Sequence, residues 1–111
     1  MELTGKCKLE FEKWLLIWLK VNVAWDVENP QQEDVDHFYT FPLAMQYGVY
    51  VDFFYNIGIH IELSKWDEST WQYFVSDTLE STYNEMGDFY VLEELRTDAI
   101  MDADILFNQR E

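Results

Sequence analysis

The chain is poor in positive charge, cysteine, glycine and long apolar runs, and each shortage argues against a class of function. Seven Lys and Arg face 22 Asp and Glu, a net charge of −15 at neutral pH. Nucleic-acid binders neutralise phosphates with Lys and Arg, so this balance speaks against direct contact with DNA or RNA. A single cysteine, Cys7, cannot form an internal disulfide, which fits a reducing cytosol. The four glycines form no phosphate-cradling loop. The longest apolar run, Trp14 to Leu19, lies between Lys13 and Lys20 and is far shorter than the roughly 20 residues of a membrane-spanning helix. Acid and base precede that run and no small-residue cleavage site follows the opening residues, so a soluble protein without a secretory signal is expected.

Aromatic residues and acids are abundant. Phe, Tyr and Trp make up 18% of the 111 residues, and each buries roughly 150–250 Å², so a single domain of this size can still build a substantial core. Charge is uneven along the chain. Residues 1–24 carry four lysines against three glutamates, a net +1, whereas residues 25–111 carry 19 acids against Lys65, Arg96 and Arg110, a net −16. The partners such a chain attracts are basic. Duplex DNA carries one charge per about 1.7 Å of axis, so fifteen negatives match about 26 Å of duplex, close to the width of a small domain. Nucleic-acid mimicry follows as one expectation, and plain solubility as the other.

The periodicities predict a small α+β domain, helix, helix, β-hairpin with a possible third strand, helix, with the first and last helices packed on a small antiparallel sheet. Thr4 can cap a helix from about Gly5 to Lys20, where Cys7, Phe11, Trp14 and Trp18 recur at spacings of four, three and four. Leu15, Leu16, Ile17 and Leu19 widen that face until the C-terminal half is apolar nearly all round, which predicts burial on several sides or a second contact surface. Asn22 to Thr40, with Asn29-Pro30 and a polar run holding Glu33, Asp34 and Asp36, reads as a connection. Pro42 suits a helix entry, and the helix it opens should reach Asn56 with Gly58 closing it, although Val49 and Val51 are β-branched. Ile57, Ile59, Ile61 and Leu63 then alternate with Gly58, His60 and Glu62 as in a half-buried strand; Ser64 to Ser69 is a polar turn. Trp71, Tyr73 and Val75 mark a second strand over Thr70 to Ser76, and a weaker third lies between Leu79 and Tyr90. Leu92, Leu95, Ala99, Ala103 and Leu106 form one stripe of a final helix; Glu94, Asp98 and Asp102 lie four apart on another face, where like charges cost a few tenths of a kcal/mol per pair.

Chemistry finds few footholds. Cys7, between Lys6 and Lys8 in a first helical turn, has two features that favour thiolate, yet neither His37 nor His60 is linked to it and it lies on the apolar face, so a structural role is expected. His60 and Glu62 share a strand face but supply only two metal ligands, and no EF-hand, His-Glu-x-x-His or Cys-x-x-Cys pattern occurs. No enzyme activity, metal or other cofactor is therefore expected. The residues expected to meet a partner are the acids Glu94, Asp98, Asp102, Asp104, Glu33, Asp34 and Asp36 and the aromatics Trp14 and Trp18, with self-association possible through the first helix.

Three blocks carry a resemblance: Leu3 to Lys8 continuing to Phe11-Glu12-Lys13-Trp14-Leu15, Pro42 to Phe54, and Glu93 to Ile100. With them the chain resembles a group of short, mostly uncharacterised proteins encoded by bacteriophages and prophages. Where that group often has lysines after the Ala-Ile, this chain has Met101, Asp102 and Asp104. The resemblance implies a phage gene and little else, and the host cytoplasm is the expected location. Joined to the acidity and the aromatics, it leads to an expected anti-CRISPR type of activity, in which a basic host protein such as a CRISPR effector nuclease is bound and inhibited. The alternative is a phage accessory module that binds another protein without mimicking nucleic acid.

Overall fold

A computed structural model describes residues 1–22, 31–65, 67–68, 70–80, 82–89 and 91–110. The elements in order are α1 (Gly5–Asn22), α2 (Gln32–Tyr39), α3 (Leu43–Asn56), β1 (Ile59–Lys65), β2 (Trp71–Asp77), β3 (Thr82–Phe89) and α4 (Leu92–Asn108). The fold is α+β, with a three-stranded antiparallel sheet in the order β1-β2-β3. The third strand pairs with β2 from Asp77 opposite Thr82 to Tyr73 opposite Met86 and again at Trp71 opposite Phe89, with a register shift between Trp71 and Tyr73.

On the sheet lie α4, chiefly against β2, and α3, against β1. The expectation that both terminal helices pack on the sheet holds for α4, whereas α1 packs mainly on α4 and α2. Aromatic volume explains this second helical layer. Phe11 is fully buried among Phe38 of α2 and Tyr50 and Phe53 of α3, with ring centroids 5.5, 4.9 and 5.2 Å away. Those separations lie in the favourable range for aromatic pairs.

A second correction concerns residues 32–39, expected as connection and found as α2. Asp34 accepts the backbone N–H of Gln31 at 2.8 Å, one half of a capping box. Val35 and Phe38, three apart, bury one edge of the helix. Eight residues are too few for a helix to stand alone in water, so tertiary packing stabilises it. The expected break at Asn29-Pro30 and residues 66 and 69 of the expected turn lie outside the described residues, and Ser64 and Lys65, expected in that turn, instead end β1, paired with Gln72 and Trp71.

The remaining elements follow their periods closely. Pro42 directly precedes α3, and burial of Tyr50, Phe53 and Phe54 overrides the weak propensity of Val49 and Val51. Gly58, at φ +85°, closes the helix in the left-handed region, so Ile57 belongs to the turn and β1 begins at Ile59. In α4 two lines are buried, Leu95, Ala99, Ala103 and Leu106, and beside them Ile100, Asp104 and Phe107.

A candidate acidic interface on α4

The solvent side of α4 is what its two buried lines leave over. Glu93 and Glu94 are exposed in its first turn, where the positive end of the helix dipole favours carboxylates. With Val91, Thr97 and Asp98 they line a shallow depression of about 470 Å³. Glu93, Thr97 and Val91 were not singled out from sequence, although each lies within one helical turn of Glu94 or Asp98. Among the described residues no ion pair engages Glu93, Glu94 or Asp98.

The cations are occupied elsewhere. Arg110 pairs with Asp77, Lys8 with Glu2 and Lys13 with Glu10. Lys65 lies over the Trp71 ring, Arg96 over Tyr47, and Lys6 over Phe107 while donating to the Arg110 carbonyl. Six of the seven Lys and Arg thus have a described partner, and in no case is it Glu93, Glu94 or Asp98.

Two of the acids expected to face a partner have internal duties instead. Asp104 is 7% exposed and accepts the Thr4 N–H at 3.0 Å as well as the Thr4 hydroxyl, so it cannot meet a partner. Its position on the inner line of α4, beside Ile100 and Phe107, explains the burial. Asp102 is half-buried and accepts the Tyr73 hydroxyl from β2, so it braces helix to sheet. Burial and the Asp102 carboxylate both push the Tyr73 phenol above its ordinary pKa.

Glu33 and Asp36 are exposed on α2, Asp36 accepting from the Gln32 amide at 3.2 Å, and the half-buried Asp34 is spent on the cap. Trp14 and Trp18 are half-buried and stacked on each other at 6.1 Å, with Trp14 also against Phe53 at 5.6 Å. Neither Trp is fully buried.

Cys7 is wholly buried, and burial together with the nearby Asp104 pushes its thiol above the ordinary range, opposite to what its lysine neighbours favour. Its N–H is accepted by Asn108 Oδ1 at 3.0 Å, so the end of α4 caps the start of α1. The Thr4 hydroxyl, expected to cap, turns to Asp104. His60 and Glu62 meet at 2.9 Å on the exposed face of β1. Among the described residues no group of three or more His, Cys, Asp or Glu is placed to hold a metal, and no helix is long and apolar enough to cross a membrane. Comparison of the chain with protein-family models, curated proteins and solved structures finds no match.

Proposed function

We propose that the chain is a phage-encoded, non-enzymatic binding protein that occupies a basic surface of a host nucleic-acid-handling protein in the cytoplasm and inhibits it, in the manner of an anti-CRISPR. One observation carries this reading: Glu93, Glu94 and Asp98 line a depression at the start of α4 and form no ion pair with any described cation. Opposite charge across an interface raises association rate and sets partner choice, and it is screened over about 8 Å at physiological salt. Exposed carboxylates then stand in for phosphates on the partner's Lys and Arg.

The test is capture from host cytosol by the intact chain and by Glu94→Lys/Asp98→Lys. The expected partner binds DNA or RNA, is released by salt, and is lost with the double reversal. Capture that persists in the double reversal and ignores salt would exclude the acidic edge as the contact. The second reading, an accessory module using an apolar contact, is favoured by Leu9, Ile17 and Val21, which are 61%, 67% and 75% exposed on α1. It predicts a captured protein without nucleic-acid affinity and a contact abolished by Ile17→Asp.

A further inference from the structure

The outward surface of α1 is basic and apolar at once. Lys6, Leu9, Lys13, Ile17, Lys20 and Val21 are all exposed, and their spacings of three or four residues, with one step of one, place them on one side of the helix. Four of the seven cations of the chain are on this helix. Among the described residues Lys13 pairs with Glu10 of its own helix, at 3.5 Å, and both side chains are exposed. Such a pair contributes little and leaves the ammonium available.

The outward surface of α4 is the complement. Glu94, Asp98, Met101 and Ile105 follow at spacings of four, three and four, so they form one line. It begins acidic and ends apolar, with Met101 and Ile105 about half exposed. The two helices are neighbours, tied by Thr4 to Asp104 and by Cys7 to Asn108.

We propose that the occupant of these two stripes is a second copy of the chain, paired about a two-fold axis so that α1 of each copy lies on α4 of the other. The assignment rests on charge complementarity. The complementarity is local and acts against the net charge of −15 on each copy: Lys13 and Lys20 of α1 are set against Glu94 and Asp98 of α4. An anionic lipid surface would match the lysines and apolar residues of α1 but leave Glu94 and Asp98 unmatched, whereas a second copy answers both stripes. Because α1 and α4 adjoin, each pairing generates its symmetry mate, and the assembly closes as a dimer instead of growing. Leu9, Ile17 and Val21 then lie against Met101 and Ile105, removing apolar surface that no described residue covers.

A charge exchange tests this directly. Lys13→Glu/Lys20→Glu makes both stripes acidic, and Glu94→Lys/Asp98→Lys makes both basic, so each chain alone repels its own copy while a mixture restores both contacts. By light scattering at low salt the unaltered chain should have the mass of two copies, each altered chain the mass of one, and their equimolar mixture the mass of two again. Should either altered chain lose its helical circular dichroism, Ile17→Asp, at a largely exposed position, carries the test and must be monomeric. A monomeric unaltered chain at every concentration, a mixture that stays monomeric, an altered chain that still pairs, or a species larger than a dimer overturns the proposal. The second copy and the host protein would use Glu94 and Asp98 in turn, so host capture displaces the pairing; the Lys13/Lys20 variant keeps both acids, and its loss of pairing with retained host capture separates this inference from the acidic-edge function.

Discussion

Removing one partner of the Asp77–Arg110 pair should cost more than any surface substitution in the chain. Asp77 is 1% exposed at the end of β2 and Arg110, 13% exposed, follows α4. The guanidinium donates Nε to one carboxylate oxygen at 2.7 Å and Nη2 to the other at 2.9 Å, and Nη2 also reaches the Ile57 carbonyl at 2.6 Å. The same carboxylate accepts the N–H groups of Leu79 and Glu80. One ion pair therefore joins the sheet, the turn after β2, the α3–β1 junction and the end of α4.

Breaking a buried ion pair from one side costs about 3–5 kcal/mol, because the other charge stays buried without compensation. Asp77→Asn keeps an oxygen for the turn and leaves an arginine that reaches solvent, so about 3 kcal/mol is expected. At ~2.1 cal/mol/K per residue the unfolding entropy of 111 residues is about 0.23 kcal/mol/K, so Tm should fall by about 13 °C. Arg110→Met strands a carboxylate that is wholly enclosed and should cost at least as much. The double variant removes both charges and should cost clearly less than the sum, by 1.5 kcal/mol or more, in chemical denaturation. Additivity within about 0.5 kcal/mol, or an Asp77→Asn cost below about 1 kcal/mol, would refute the role of the pair.

Acid and alkali should act through different groups. Burial alone raises the Asp77 pKa, but the Arg110 hydrogen bonds and charge outweigh it and hold the carboxyl below its ordinary value. Its contribution should be complete above about pH 4 and disappear as pH falls through the lowered value, a slope that Arg110→Met abolishes in denaturation at varied pH. Burial raises the Cys7 thiol and the Tyr39, Tyr50 and Tyr73 phenols, so the stability they contribute is intact below about pH 8.5 and lost as pH rises beyond it. Cys7 should accordingly resist a thiol reagent in the folded protein and react at once in denaturant. Asp104→Lys should unfold the chain or cost at least 3 kcal/mol, whereas Glu94→Lys should stay within about 0.5 kcal/mol, both read by denaturant midpoint. Gly58→Ala places a Cβ 3.1 Å from Leu79 at a left-handed φ, and about 1–2 kcal/mol of destabilisation is expected in the same assay.

Legibility in the sequence followed the range of the interaction responsible. Spacings of two and four residues are local, so the line Leu95, Ala99, Ala103 and Leu106 of α4 and the alternation of β1 and β2 could be counted directly from the chain, whereas the second buried line, Ile100, Asp104 and Phe107, was not read from it. For α2 the local signal was present but outweighed: Asp34 three residues after Gln31 is a cap pattern, and the surrounding acids hid it. Its stability comes from Phe38 on Phe11, a contact across 27 positions that no window contains. The acids show the same limit more sharply. Glu94, Asp98 and Asp102 look equivalent at four-residue spacing, yet only Glu94 is fully exposed, and what separates the two half-buried aspartates is Tyr73 on β2, whose hydroxyl Asp102 accepts. Asp104 is claimed by Thr4 from 100 positions away. Net charge could thus be read before folding, but the distribution of that charge between brace and surface is set by contacts that exist only once α1, α4 and the sheet have met. Any partner of the acidic edge recognises the carboxylates that tertiary packing left unused.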